Sequence, residues 1–175
     1  MRHPIRLYGD PVLRGTAREV KSFDDDLRSF ARDMIESMRE GEGIGLAAPQ
    51  VGRSIRVIVV EGDALGEGAE EARVLVNPEI VAFSKERSLF EEGCLSIPGV
   101  RADVERPDEI DIRYRTAEGT LVEERAEGFY ARVLQHEIDH LNGKLFVDHL
   151  GTAERNLLRK HLREIQARAA GIADA

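Results

Sequence analysis

The chain has 175 residues, a length that fits one domain with a substantial core, and we predict a single domain over residues 1–175. Its formal net charge of −8 argues against a broad surface for nucleic acid or membranes. A single cysteine excludes an intrachain disulfide, and no stretch approaches the length of a membrane span. We therefore expect a cytoplasmic protein with no membrane partner and no direct DNA binding.

The amino-terminal part of the sequence predicts an extended arm, one helix and one buried strand. The arm covers residues 1–23. Acidic residues from Asp24, followed by apolar residues at helical spacing, predict a helix that ends at Gly41. A run of β-branched residues at 55–60 predicts a buried strand, and the glycine-rich, acidic stretch 61–72 predicts a solvated loop.

The remainder of the chain predicts short strands and two helices. The turn former Asn77-Pro78 separates two of these strands. The predicted elements are strands at 73–76 and 79–83, a hairpin of 110–115 with 121–126, a helix at 129–142, and a helix from Thr152 to about Ala169. Together they predict an α+β fold in which antiparallel strands pack around the helix at 129–142, with a C-terminal helix beside them.

The helix at 129–142 contains an H-E-x-x-H pattern, His136-Glu137-Ile138-Asp139-His140. Residues four apart lie on one face of a helix, so His136 and His140 can bind one metal ion with Glu137 beside them. Core packing is the alternative explanation for two such histidines. The intervening glutamate favours a metal site, because a carboxylate next to a metal-activated water can move protons at neutral pH.

The only cysteine lies in the segment Glu92-Gly93-Cys94-Leu95-Ser96. A lone cysteine is more often an inert buried thiol, but a place between a glycine and a Leu-Ser-Ile-Pro run suits a positioned ligand. Two imidazoles and a thiolate leave a fourth tetrahedral position open, which is typical of a catalytic site. The residues thus predict a metal hydrolase. We also hypothesise that Arg106 pairs with Glu92 and orients the cysteine segment.

A third unusual segment, Gly43-Ile44-Gly45-Leu46-Ala47-Ala48-Pro49-Gln50, partly matches a dinucleotide-binding fingerprint. That fingerprint needs a strand before it and a helix that begins inside it. Here a helix precedes the segment and Pro49 interrupts any helix after it. We therefore expect a glycine-rich wall whose backbone approaches an extended substrate, with the Gln50 amide aimed at the reacting carbonyl.

The three segments resemble the three motifs of the peptide deformylase family, in the same order and at the usual separations. The opening Tyr8–Arg14 is also similar, and the resemblance covers nearly the whole chain. It implies removal of the formyl group from the N-formylmethionine that starts nascent bacterial or organellar polypeptides. It also implies one divalent metal ion, with iron(II) as the usual native metal and zinc, nickel or cobalt able to occupy the site.

The resemblance further implies roles for individual residues. The metal ligands would be Cys94, His136 and His140. Glu137 would be the general acid/base, and Gln50 with the backbone amide of Leu95 would stabilise the oxyanion. The residues that it implies for substrate binding are Ile44, Gly45, Gly93, Arg101, Arg132 and Val133.

Two other interpretations of the same residues remain open. In a zincin-type endopeptidase the third ligand comes from a downstream helix, where Glu164 is the candidate. In a non-catalytic, metal-stabilised binding module neither Glu137 nor Gln50 would be needed. Alanine at the true third ligand should remove the metal, which separates Cys94 from Glu164.

The last predicted helix collects positive charge in an otherwise acidic protein. Residues 155–168 contain one acidic residue, Glu164, and five basic residues, Arg155, Arg159, Lys160, Arg163 and Arg168. A solvated helix face is one explanation. The other is a ribosome partner, which the resemblance implies because the C-terminal helix of some bacterial deformylases contacts the ribosome.

Overall fold

A computed structural model describes residues 1–66 and 71–173, and over these ranges the chain forms three α-helices and two antiparallel sheets. The helices are α1 Asp25–Glu40, α2 Gly128–Leu141 and α3 Thr152–Ala173. The strands are β1 Gly45–Ala47, β2 Val57–Val60, β3 Arg73–Phe83, β4 Arg87–Cys94, β5 Ile97–Pro107, β6 Glu109–Arg115 and β7 Leu121–Glu127. The predicted α+β class is confirmed.

Helix α1 begins and ends at the expected residues. The Asp24 side chain accepts a hydrogen bond from the Leu27 N–H at 3.0 Å, which satisfies one of the free donors of the first turn. At the other end the Gly41 N–H donates to the Ser37 carbonyl. The apolar face of α1, with Met34 and Met38 fully buried, packs on strands β1 and β2.

The larger sheet has the strand order β1-β2-β3-β6-β7, with every neighbouring pair antiparallel. Strand β2 is completely buried, as its β-branched sequence predicts. The hairpin of β6 and β7 is confirmed.

Strand β3 is one continuous strand, so the prediction of two strands separated by Asn77-Pro78 was wrong. Asn77 and Pro78 lie at a shift in the register between β3 and β6, where Asn77 adopts a φ of 52°. The Asn77 side chain accepts from the Val20 N–H and donates to the Val20 carbonyl, each at 2.9 Å. Those two bonds hold the amino-terminal arm against the sheet and compensate for the left-handed backbone.

The expectation of a solvated loop over 61–72 is wrong in its first part. Residues Gly62–Leu65 form a 3-10 helix, and Ala64 is buried in the core that contains α2. Residues 67–70 of that predicted loop lie outside the described residues.

Strands β4 and β5 form a separate two-stranded sheet that the sequence analysis did not predict. Cys94 is the last residue of β4, and Leu95-Ser96 make the turn into β5. Most β4 side chains are exposed, so the strand lacks the alternation of apolar and polar residues that marks a half-buried strand. The hairpin places the only thiol at its tip.

Helix α2 packs against the larger sheet through Leu134, Ile138 and Leu141. Helix α3 buries Leu162, Ile165 and Ala169 beside β5, whereas Leu157 is 86% exposed. In the described ranges, none of the helices combines the length and hydropathy that a membrane span requires.

Candidate metal centre and active-site cleft

The three predicted metal ligands come together between two elements. His136 and His140 lie one turn apart on α2, and Cys94 approaches them from the tip of the β4–β5 hairpin. The Cys94 Sγ lies 3.4 Å from the His140 Nε2, and the donor atoms of all three residues lie within 4.8 Å of one another. Metal bonds of about 2.3 Å to sulfur and about 2.0–2.1 Å to nitrogen, at a tetrahedral angle, imply a sulfur–nitrogen separation of about 3.5 Å. The spacing therefore fits a shared tetrahedral ion.

The electrostatics of this cluster also fit a cation. Burial opposes protonation of His136, but its hydrogen bonds with Cys94 and Glu92 outweigh this effect and hold the pKa of the imidazole well above its ordinary value. The site thus attracts positive charge. Burial lowers the pKa of His140 well below its ordinary value, so this imidazole stays neutral and able to ligate.

A buried carboxylate orients one of these imidazoles. Glu92 accepts a hydrogen bond from His136 Nδ1 at 2.9 Å, so a metal ion would displace the proton of Nε2 and bind at that nitrogen. Arg106 donates to both oxygens of Glu92, at 2.6 and 3.0 Å, so the hypothesised pairing is confirmed. Arg106 also reaches Asp139 of α2 at 2.9 Å. Burial acts to raise the pKa of Glu92, but hydrogen bonds from His136 and Arg106 hold it well below its ordinary value.

Glu137 has the surroundings of a proton carrier. Its Oε1 lies 4.0 Å from His136 Nε2, and within the described ranges its buried Oε2 has no hydrogen-bond partner. Burial raises the pKa of the Glu137 carboxyl to about 7. A carboxyl of this kind can both accept and release a proton near neutral pH.

The Gln50 side chain is held in one orientation. Its Oε1 accepts from the Ala47 N–H at 2.9 Å, which fixes the amide direction. The Nε2 then donates to the Ser96 Oγ at 3.0 Å and lies 3.5 Å from the Cys94 Sγ. Leu95 follows Cys94 in the hairpin turn, so its backbone amide borders the same space.

These groups lie in an open cleft of about 610 Å³ between the glycine-rich segment, the β4–β5 hairpin and α2. His140 is 1% exposed and does not line the cleft. The other predicted site residues all line it: Ile44, Gly45, Gln50, Gly93, Cys94, Leu95, Arg101, Arg132, Val133, His136 and Glu137.

Two predicted arginines in the cleft have different surroundings. Arg101 is exposed and bonds to Glu91 at 2.8 Å, and its guanidinium lies so close over Gly93 that a Cβ there would be 2.7 Å from Nη1. Arg132 is only 7% exposed, and its guanidinium is bonded to the hairpin.

Several residues of the site were not predicted. Phe90 and Phe129 stand at the cleft mouth, half-exposed, with ring centroids 5.9 Å apart. Asp139, inside the H-E-x-x-H pattern, joins Arg106 to His149, whose Nε2 is 2.9 Å away. The only sequence signals for these residues were unexplained aromatics near the motifs and an acidic residue between two ligands.

Glu164, the candidate third ligand of the endopeptidase interpretation, is exposed on α3. In the part of the chain that the structure describes, the group of side chains that could hold a metal contains Cys94 instead. With a poised carboxyl beside this group and a cleft open to a ligand, the fold and the site are those of a metal-dependent hydrolase.

Comparison with known proteins identifies the family. The model of the polypeptide deformylase family matches residues 2–156, and the chain belongs to this family, which removes the N-formyl group from newly synthesised polypeptides. A peptide deformylase of Brucella suis is 46% identical over 168 residues, which cover 95% of each chain. One from Thermotoga sp. is 47% identical over 161 residues, covering 92% of this chain and 94% of the relative.

Solved structures agree in fold. Peptide deformylase from Plasmodium falciparum superposes with a TM-score of 0.89 at 39% identity, covering 95% of this chain and 97% of that one. Peptide deformylase from Thermus thermophilus superposes with a TM-score of 0.88 at 42% identity, covering 96% of this chain and 99% of that one. The resemblance inferred from the three motifs is confirmed.

Substituting Gly45 with alanine should disturb Glu137 without touching the ligands. A Cβ at residue 45 would lie 2.9 Å from the Glu137 Oε1 and 3.0 Å from the Val133 Cγ1, so the carboxylate must move. We expect kcat/KM for formate release to fall about 10²-fold, the scale of a small misplacement of a catalytic group, with metal content unchanged.

The matched control is Gly151→Ala, because nothing lies within 4 Å of a Cβ built at Gly151. If kcat/KM of metal-loaded Gly45→Ala lies within about twofold of the parental value, the close approach of Gly45 to Glu137 has no catalytic importance.

Proposed function

We propose that the enzyme hydrolyses the formyl amide at a metal ion held by Cys94, His136 and His140, with Glu137 as the proton carrier. The observation that supports this most strongly is the buried Glu137 carboxyl next to the three converging donor atoms. When bound, the ion supplies Lewis-acid polarisation and activation of a water molecule. The chain's own residues supply proton transfer, oxyanion contacts and substrate position.

Glu137 moves the proton. Because its pKa lies near 7, its carboxylate can take a proton from the attacking water at an Oε and later donate it to the nitrogen of the leaving amine. Its Oε2 is free of hydrogen bonds within the described residues, so this oxygen can serve both steps.

Gln50 and the Leu95 backbone N–H stabilise the charge that develops on the formyl oxygen. Gln50 is 1% exposed, and its anchored Oε1 keeps Nε2 in place before the substrate arrives. Only an N–H of Nε2 has to turn from the Ser96 Oγ or the Cys94 Sγ to the formyl oxygen, and a donor held this close stabilises a transition state more than one that must first be ordered.

The cleft walls hold the peptide. Ile44 and Gly45 form one wall, and the hairpin residues Gly93 and Arg101 form the other. Arg132 and Val133 border the space on the α2 side, where we place the methionine side chain. The test of the reaction is formate release from formyl-Met-Ala by anaerobically prepared protein. Acetyl-Met-Ala is the matched substrate, which a site shaped for a formyl group should reject.

Glu137→Gln should retain the metal and lose most activity. The variant leaves all three ligands in place but cannot accept a proton, so kcat should fall by ~10²–10⁴-fold. Formate release and metal content are measured on the same samples, with the exposed Glu164→Gln as control. Near-parental turnover in Glu137→Gln would remove the assigned role.

We further propose iron(II) as the native metal, with zinc, nickel and cobalt as possible substitutes. A thiolate with two imidazoles favours softer divalent ions, and the family resemblance supports iron. Cys94 also exposes such a site to oxidation, because it is only partly buried.

Two measurements test the metal site together. Cys94→Ala should lose bound metal after dialysis, whereas Glu164→Ala should keep it. The iron-loaded parent should lose activity in air, whereas the nickel-loaded parent should not. Metal retention in Cys94→Ala would contradict the ligand set, and an air-stable iron form would contradict the oxidation argument.

We also propose that the basic residues of α3 bring this cytoplasmic enzyme to the ribosome, where its nascent substrates emerge. Arg155, Arg159 and Arg163 are exposed, while the opposite face of α3 is anchored by Leu162 and Ile165. A tether at the ribosome would raise the effective concentration of a short-lived substrate.

Charge reversal tests this tether better than truncation, because truncation would remove Leu162 and Ile165 and uncover the apolar residues that they pack against. The variant Arg159→Glu with Arg163→Glu should co-sediment less with ribosomes at low salt and show a weaker salt dependence. Lys21→Glu with Arg32→Glu, both exposed and away from α3, makes the same charge change as a control. Equal co-sedimentation of the two double variants would rule the tether out.

A further inference from the structure

The hairpin that carries Cys94 is attached weakly by its backbone. In the described ranges, β4 and β5 pair only with each other, and neither joins the larger sheet. An isolated two-stranded sheet is marginally stable unless side chains pack it against another element. Apolar residues of β5 pack on α3, and the position of the hairpin relative to α2 depends on the side chains that cross between these two elements.

Arg132 makes such a crossing from the helix side. It lies one turn before His136 on α2 and is 7% exposed. Its Nη1 donates to the Glu92 Oε2 at 2.9 Å and to the Val104 carbonyl at 2.6 Å, and its Nη2 donates to the Ser88 carbonyl at 2.8 Å. One guanidinium thus holds a carboxylate and a backbone carbonyl from each strand of the hairpin.

The geometry of these contacts requires arginine. Two nitrogens of one rigid plane serve three acceptors on two strands, an arrangement that the single ammonium of a lysine does not reproduce. Arg106 crosses in the opposite direction, from β5 to Asp139 of α2. Glu92 receives both arginines and also orients His136, so the hairpin, the helix and one metal ligand share a single carboxylate.

We propose that Arg132 is a positioning residue that fastens the β4–β5 hairpin to α2 and thereby sets the position of the Cys94 Sγ relative to His136 and His140. Its guanidinium acts through Glu92 and the two carbonyls. This role rests on the proposed ligand set, and it differs from a simple place in the wall of the substrate cleft. A wall residue affects KM for the peptide, whereas a positioning residue affects metal binding and kcat.

The experiment uses cobalt(II) as a probe, because its absorption reports a thiolate ligand directly. Arg132→Met keeps an unbranched apolar stem and removes all three hydrogen bonds, and Arg132→Lys keeps the charge without the planar group. We expect cobalt affinity and kcat to fall about 10- to 100-fold in Arg132→Met, the usual effect of losing a residue that orients a ligand, with a smaller loss in Arg132→Lys. The thiolate-to-cobalt band should weaken or shift, and KM for formyl-Met-Ala should change less than kcat.

Arg87→Met is the matched control, because Arg87 is an exposed arginine at the start of β4 that contacts Glu105 of the same hairpin. It should leave cobalt affinity and the thiolate band unchanged.

The outcomes separate the two levels of the proposal. A parental cobalt complex without a thiolate band would contradict the ligand set itself. If the parent shows the thiolate-to-cobalt band, two results would overturn the positioning role. One is that the Arg132 variants keep the parental cobalt affinity and band, and the other is that only their KM changes. If Arg132→Met does not fold, the test rests on Arg132→Lys. Parental cobalt affinity and a parental thiolate-to-cobalt band in that variant would contradict the proposal.

Discussion

The site depends on one buried carboxylate, Glu92, and the hydrogen bonds that converge on it. It lies at the edge of the metal cluster and accepts from Arg106, Arg132 and His136. A buried charge is costly unless it is fully paired, and removing one partner leaves the others without compensation. The hydrogen bonds of Glu92 therefore contribute less to the net stability of the fold than to the geometry of the site. They fix a β-hairpin, a helix and the ring plane of His136 relative to one another.

The opposite wall of the cleft is shaped by the absence of side chains. A Cβ at Gly43 would lie 2.8 Å from the Leu95 Cδ1, and one at Gly45 would lie 2.9 Å from the Glu137 Oε1. These two glycines let the hairpin tip and α2 approach the segment after α1. Backbone beside the proposed metal site is thus open to the cleft, which explains why a glycine-rich motif accompanies Cys94, His136 and His140.

Local patterns predicted the elements whose burial is periodic, and missed those whose burial is not. Helices α1 and α2 and the β6–β7 hairpin follow from spacing alone. The β4–β5 hairpin has mostly exposed residues on β4, and Asn77 tolerates a left-handed backbone inside β3, so neither could be found from periodicity. The ligand trio follows from motif spacing, and Arg106 from its proximity to Glu92 in the sequence. The contacts of Arg132 and Asp139 could not be predicted, because they join separate elements through tertiary packing.

The most direct test of this account is X-ray absorption at the metal edge of the zinc-loaded protein, compared between the parent and Glu92→Gln. We expect one sulfur at about 2.3 Å and two imidazole nitrogens at about 2.0–2.1 Å in the parent. In the variant we expect a disordered or lost sulfur contribution and weaker zinc retention, because the hairpin and the imidazole have lost their common acceptor. An identical shell and equal zinc retention in both proteins would contradict the central role of Glu92, and a parental spectrum without sulfur would contradict the ligand set.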